Sequence, residues 1–336
     1  MRSLNRCCWI AFVLTLTVLS PAPRAAEDET ARPAPEEEAR QIVVTATRLP
    51  TPRRNLASST TVVTGEELER RQADTVYEAL RAVEGLDVVR NGGPGGPTSL
   101  FMRGTEARHV LVMINGVEMN DPISPTRAFD FSHLTPENIE RIEVLRGPQS
   151  TLYGSDALGG VINIITKGGT KTFQGSVSAE YGSFDTLSEN VSVSGQQGPL
   201  SYSFAAGHLS TRGISSADSD LGNDERDGYE NSTFSTRLGY ALSSNLALDL
   251  VLRYTEANID IDNGGGAGAD DVNNTVDTDR LYGKAQATLE LLDGLWEQKL
   301  SVSHTDIERV NDNDMDPAHP SSSLFSTFEG ELLKFD

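Results

Sequence analysis

The chain has 336 residues, with 49 Asp and Glu against 28 Lys and Arg and a formal net charge of -21. A phosphate-binding surface needs clustered Lys and Arg, so this balance excludes a nucleic-acid partner. Its two cysteines, Cys7 and Cys8, are adjacent near the start, which leaves the remainder without a disulfide framework or a cysteine-metal site.

In chain order, Arg2 and Arg6 precede an apolar run of about 13 residues, Cys7 to Leu19, which Pro21 breaks ahead of the small residues Ala25 and Ala26. A membrane-spanning helix needs roughly 20 apolar residues, so residues 1–26 read as an export signal with the mature chain starting near Glu27. Both cysteines stand at the start of the apolar run rather than after it and cannot carry a lipid. Residues 27–59 form a leader that is charged and Pro-bearing at first, without apolar periodicity. Within it, at 41–48, lies the β-prone island Ile42-Val43-Val44-Thr45-Ala46. A strand so short either docks on a neighbouring domain or is offered to a partner's sheet, and its residues leave both open.

Residues 60–168 mix two periodicities and predict a compact α+β domain. Thr60 to Val63 reads as a strand, and Thr64 with Glu67 three residues on reads as a helix cap. Val76, Ala79, Leu80 and Val83 fall on one helix face ended by Gly85. Strands are predicted at 86–89, 100–103, 109–114, 139–145 and 161–165. Between them, the Gly-rich loop 91–97 lacks the Gly-Lys-Ser/Thr of a phosphate-binding loop and reads as a surface loop. A second loop spans 120–127.

From 169 onward the pattern becomes a long two-residue alternation, with segments at 175–182, 187–195, 200–210, 232–242, 246–256, 279–291 and 298–309 and aromatics near their ends. Short turns at 198–199 and 243–245 alternate with long polar loops at 212–230 and 258–278. That is the signal of a membrane β-barrel with one face for lipid and one for the lumen. No Ser/His/Asp or paired-carboxylate constellation emerges, and the five histidines, at 109, 133, 208, 304 and 319, are scattered. The composition does not predict an enzyme.

The strings IVVTATR, FMRGTEARHVLVMINGV and IERIEVLRGPQSTLYGSDALGGVINIITK, followed by the alternating strands, resemble the TonB-dependent outer-membrane receptors, and within that family their order is most similar to the cobalamin receptors. The resemblance implies an α+β plug domain filling a transmembrane antiparallel barrel of about 22 strands, of which some seven are expected here, so that the chain reads as an N-terminal fragment. It implies energy-dependent import of a metal chelate across the outer membrane: cobalamin first, with a ferric siderophore or haem as the alternative. Ile42, Val43, Val44, Thr45 and Ala46 become the TonB box, which pairs with TonB of the inner-membrane complex. Pro97, Ser99, Glu106, Ser124 and Pro125 fall at ligand-contact positions, although only Ser99 keeps the residue type the resemblance leads one to expect. Arg103 and Arg146 resemble plug arginines that face barrel glutamates, and a structural role is expected for them. Asn223, Glu225 and Asp227, with Asp260 or Asp262 and with Asp277, resemble a calcium loop, Ser215 standing where a carboxylate is expected. Oxygen ligands at alternate positions suit Ca2+.

Overall fold

The structure, a computed structural model, describes residues 42–43, 45–46, 51–170, 172–263, 270–271, 273–315, 319 and 323–336; the expected signal and leader up to residue 41, and Val44, lie outside them. Two short strands, β1 (Ile42–Val43) and β2 (Thr51–Pro52), pair with each other. An α+β domain follows: β3 (Ser59–Thr64), α1 (Gly65–Arg70), α2 (Val76–Leu80), β4 (Leu86–Arg90), β5 (Thr98–Met102), β6 (Val110–Ile114), β7 (Val117–Glu118), β8 (Ile139–Arg146), α3 (Ser150–Tyr153) and β9 (Gly160–Thr166).

Its central sheet has the order β3-β8-β9-β6-β7, with β6 and β9 parallel. All five residues of β6 are buried, as a strand covered on both faces requires. On one face Val110, Val112 and Ile114 join Leu68, Val76, Leu80, Ile142 and Ile164. On the other, Leu111 and Met113 pack with Leu145 and Val161, and Ala46 and Tyr153 lie against them. The cap expected at Thr64 forms, its hydroxyl accepting the Glu67 amide at 3.2 Å. Gly65 is required beside it, because a Cβ there would lie 2.5 Å from the Ile139 carbonyl oxygen.

Eight strands then form one antiparallel meander: β10 (Gln174–Tyr181), β11 (Leu187–Gln197), β12 (Leu200–Thr211), β13 (Tyr229–Ala241), β14 (Leu246–Asp260), β15 (Asn274–Leu291), β16 (Trp296–Asn313) and β17 (Leu324–Phe335). The sheet is open, with β10 and β17 as its edges. This corrects the expected seven strands. In β17 the outward row Phe325, Thr327, Glu329, Glu331, Leu333 and the inward row Leu324, Ser326, Phe328, Gly330, Leu332 each mix polar and apolar residues. No period of two marks the segment in sequence, and its pairing with β16 from Val302↔Phe335 to Asn313↔Leu324 makes it a strand. The expected long loops are also shorter, since β14 runs on to Asp260 and β15 starts at Asn274.

The pleat sorts this sheet into two faces. Outward, Val177, Leu248, Leu250 and Leu300 are exposed, Leu300 by 71%. Inward, each of β13 to β17 sends at least one cation to the α+β domain. Arg237 donates to the Thr166 carbonyl at 3.2 Å, Arg253 to the Thr135 carbonyl at 3.1 Å and Arg280 to the Asp130 carbonyl at 3.1 Å. Lys284 donates to the Asn115 carbonyl at 3.1 Å, while Arg309 reaches the Asp121 carboxylate at 3.3 Å and Lys334 that of Glu118 at 2.7 Å.

Arg253 is 3% exposed and also donates to the Thr135 hydroxyl at 3.0 Å, with the Glu137 carboxylate 4.0 Å away. Replacing it strands that buried carboxylate and two carbonyls. Arg253→Met is expected to cost about 3 kcal/mol, and adding Glu137→Gln to recover part of it. Urea unfolding of both variants in detergent, read as a double-mutant cycle, checks this; a cost below ~1 kcal/mol would assign Arg253 to a solvated surface pair.

Candidate functional site

Residues 42–43 and 45–46 are docked. Val43 and Thr45 are each 1% exposed. The Glu143 carboxylate on β8 accepts both the Thr45 amide, at 2.8 Å, and the Thr45 hydroxyl, at 2.6 Å. Tyr153 donates its hydroxyl to the Thr45 carbonyl at 2.8 Å, and the Asn163 amide donates to the Thr45 hydroxyl at 3.2 Å. Arg141 holds the other Glu143 oxygen at 2.9 Å. Of the two dispositions that the sequence leaves open, this structure adopts the docked one, with a charged acceptor at its centre. Such hydrogen bonds contribute roughly 1.5–3 kcal/mol each.

The loop 91–97 meets the long loop after β12: the Gly93 amide donates to the Ser216 hydroxyl at 3.1 Å, and Gly95, at φ +76°, lies against the Tyr229 ring. Pro97 is exposed and Ser99 half-buried on β5. Glu106 is exposed and paired with Arg108 at 2.6 Å. Ser124 is held by its amide on the Asp121 carboxylate at 3.3 Å, next to exposed Pro125. Among the described residues, no hydrogen bond or ion pair joins Ser99, Glu106 and Ser124 to one another.

The acidic loops converge, although not through all the expected residues. Carboxylate oxygens of Glu225, Asp262 and Asp270 lie within 4.8 Å of one another. Asp227 is 2% exposed, and one of its oxygens accepts the Ser216 amide at 2.5 Å while the other has no partner among the described residues. Burial first, then the charges of Asp262, Asp227, Asp270 and Asp260, push the Glu225 carboxyl up to about 7. Asp260 accepts the Gly228 amide at 3.1 Å beside this group. Asn223 is fully buried but spends its side chain on the loop, donating to the Asp218 carbonyl at 2.9 Å and accepting the Asp270 amide at 3.4 Å. Asp277 stands apart: it is exposed on β15, accepting from Asn258 across the strands at 2.6 Å. Its expected place is taken by Asp270, which the glycine-rich stretch before it conceals from a reading by spacing.

Residues 52–161 match the model of the TonB-dependent Receptor Plug Domain. The chain carries a TonB-dependent receptor plug domain. Its fold is similar to the siderophore receptor PirA from Acinetobacter baumannii, with 23% identity and TM-score 0.63, over 82% of this chain and 44% of that one. It is similar also to the ferripyoverdine receptor of Pseudomonas aeruginosa, with 19% identity and TM-score 0.68, over 88% of this chain and 41% of that one. A ferric enterobactin receptor variant from the same organism gives 19% identity and TM-score 0.63, over 82% and 45%. The chain thus spans less than half the length of these solved receptors. The α+β domain is the plug, and the open sheet has the fold of part of a barrel wall, unclosed over these residues.

Among the described residues neither plug arginine meets a glutamate of the wall; the barrel glutamates that the resemblance places opposite them are not expected in the strands present here. Arg146 is 8% exposed and donates within the plug, to the Glu84 carbonyl at 2.7 Å and the Thr61 hydroxyl at 2.7 Å. Arg103 is exposed, with φ +51°. Charge crosses the joint the other way, from wall cations to plug acids and carbonyls, and Arg253, Arg280 and Arg309 are the residues the sequence reading missed. Their only signal there is a cation inside an alternating strand.

If Glu143 is the latch, Glu143→Ala frees the Thr45 amide and hydroxyl together. Reaction of an Ala46→Cys thiol with maleimide is then expected to accelerate about tenfold or more, the equivalent of losing one such hydrogen bond. An unchanged rate would mean that the Tyr153 and Asn163 bonds and the packing of Val43 hold the segment without Glu143.

Proposed function

We propose that the chain is part of an outer-membrane receptor that imports a metal chelate with energy delivered through TonB, and that the chelate is a ferric siderophore. The observation that carries this reading is the wall: one face exposes apolar residues such as Val177, Leu248, Leu250 and Leu300, as lipid contact requires, and the other grips a plug through inward cations. A siderophore is favoured over cobalamin because the receptors to which the fold is similar are siderophore and ferric-chelate receptors.

TonB is the proposed partner of residues 42–46, by strand addition. Among the described residues β1 pairs only with the two residues of β2, so freeing those residues costs chiefly the Thr45 bonds and the burial of Val43. Proline at 45 removes its one amide, which is bonded to Glu143 here and which a partner strand would use. In cells carrying the gene at its native locus, Thr45→Pro is expected to leave surface binding of radioiron-loaded siderophore intact and to abolish its accumulation. Equal loss of both would make the segment a structural strand of the plug. Accumulation of labelled cobalamin, with no siderophore uptake, would reverse the choice of chelate.

Cobalamin is the second reading, favoured by the carboxylates between the loops, whose order resembles the calcium loop of cobalamin receptors. The fit to Ca2+ is good: Glu225, Asp227, Asp262 and Asp270 offer oxygen donors only, the unpartnered oxygen of Asp227 is buried, and like charges this close repel unless a cation lies among them. Ca2+ is expected to raise the melting midpoint in detergent, and Glu225→Gln with Asp227→Asn to abolish the response. Equal midpoints with calcium and with chelator would remove the ion from the proposal.

A further inference from the structure

Where the plug meets β14 and β15 there is a cavity of about 20 Å³, bounded by Phe129 and His133 of the plug and by Arg253, Arg280 and Tyr282 of the wall. That is room for about one water-sized particle, too little for a phosphate or a carboxylate ligand. Of its polar groups, the Thr255 hydroxyl already shares a hydrogen bond with the Thr233 hydroxyl at 3.2 Å, which leaves the donors of Arg280 and Tyr282. The Arg280 side chain is 8% exposed; its Nη1 donates to the Asp130 carbonyl at 3.1 Å, but Nε and Nη2 have no hydrogen-bond partner among the described residues. Tyr282 is 2% exposed, and its hydroxyl is likewise without one.

The nearby carboxylates do not supply the missing acceptor. Asp130 Oδ2 lies 3.9 Å from Arg280 Nη2, beyond hydrogen-bond range, while its Oδ1 accepts the Thr98 amide at 2.9 Å and the Ser132 amide at 3.0 Å. Glu137 stands 4.0 Å from Arg253. Burial first, and then the neighbouring Arg280 charge against the opposing pull of Asp130, holds His133 neutral, its pKa pulled down to about 3. Its Nδ1 is engaged with the Tyr229 hydroxyl at 3.2 Å. Arg280 also lies over the Phe129 ring, 5.6 Å from its centroid, so the guanidinium is fixed between plug and wall.

A desolvated guanidinium with two free donors, beside a free hydroxyl, calls for an acceptor of small size and negative charge. We propose that this cavity is a halide site, in which a chloride ion accepts from Arg280 Nε and Nη2 and from the Tyr282 hydroxyl and ties the plug to the wall. The site depends on the plug–wall joint alone and not on which chelate is carried.

The test uses the whole chain refolded in detergent. Replacing gluconate by chloride at constant ionic strength is expected to raise the melting midpoint by about 2 °C or more. Crystals grown in bromide are expected to show an anomalous peak between Arg280 and Tyr282. Tyr282→Phe, which removes only the hydroxyl, should shrink the chloride response while leaving the midpoint in gluconate nearly unchanged; Arg280→Lys should abolish it. Equal wild-type midpoints in the two salts overturn the site, as does a response that survives both substitutions. A bromide-free density peak there would identify water and overturn it as well.

Discussion

The structure depends on cations that leave one sheet and end on another domain. Long alternating strands must present a polar face inward, and in an isolated sheet that face would be solvated. Here β13 to β17 each place an Arg or Lys on that face, and each ends on a carbonyl or carboxylate of the plug. Most of the acceptors are main-chain oxygens, which cannot be ionised or lost by substitution. The grip therefore tolerates sequence drift in the plug better than a set of carboxylate partners would. It also explains why the stretch between β7 and β8 can be long and irregular: Asp121, Asp130, Thr135 and Glu137 are ordered by side chains from the wall.

The same principle, a charged group satisfied from a distance in sequence, governs residues 42–46. Thr45 and Glu143 are 98 residues apart, yet the carboxylate takes both polar hydrogens of the threonine. The segment is held by a few strong bonds and two buried side chains rather than by a ladder. Such an attachment can be firm at rest and still be given up as a unit, which suits a strand offered to a partner in an energy-coupled receptor.

Much of the plug was legible because its periodicities are local. The buried run of β6, the Thr64 cap and the face made by Val76, Ala79 and Leu80 are set by neighbours within a few residues. The candidate site was legible only in part. Glu225, Asp227 and, as one of two alternatives with Asp260, Asp262 came from the resemblance to a calcium loop, whereas Asp270 did not, because loop closure brings it to Glu225, whose amide it accepts at 2.8 Å. Asp277 failed for the converse reason: in a β15 that starts at Asn274, the pleat turns it outward to Asn258.

What the sequence by itself determined is the order of parts: a stretch without cysteine after Cys8, a β-prone island, an α+β domain and then alternating strands. Those features follow from composition and from periods of two and 3.6 residues, which backbone geometry imposes on any chain. The tertiary structure alone decided that β17 is a strand, that the island is docked, and that Arg253 and Arg280 face plug carbonyls 118 and 150 residues away. The physical reason is that a polar group's partner is chosen by which surfaces come together once the core has formed, and a residue's type records only that a partner is needed.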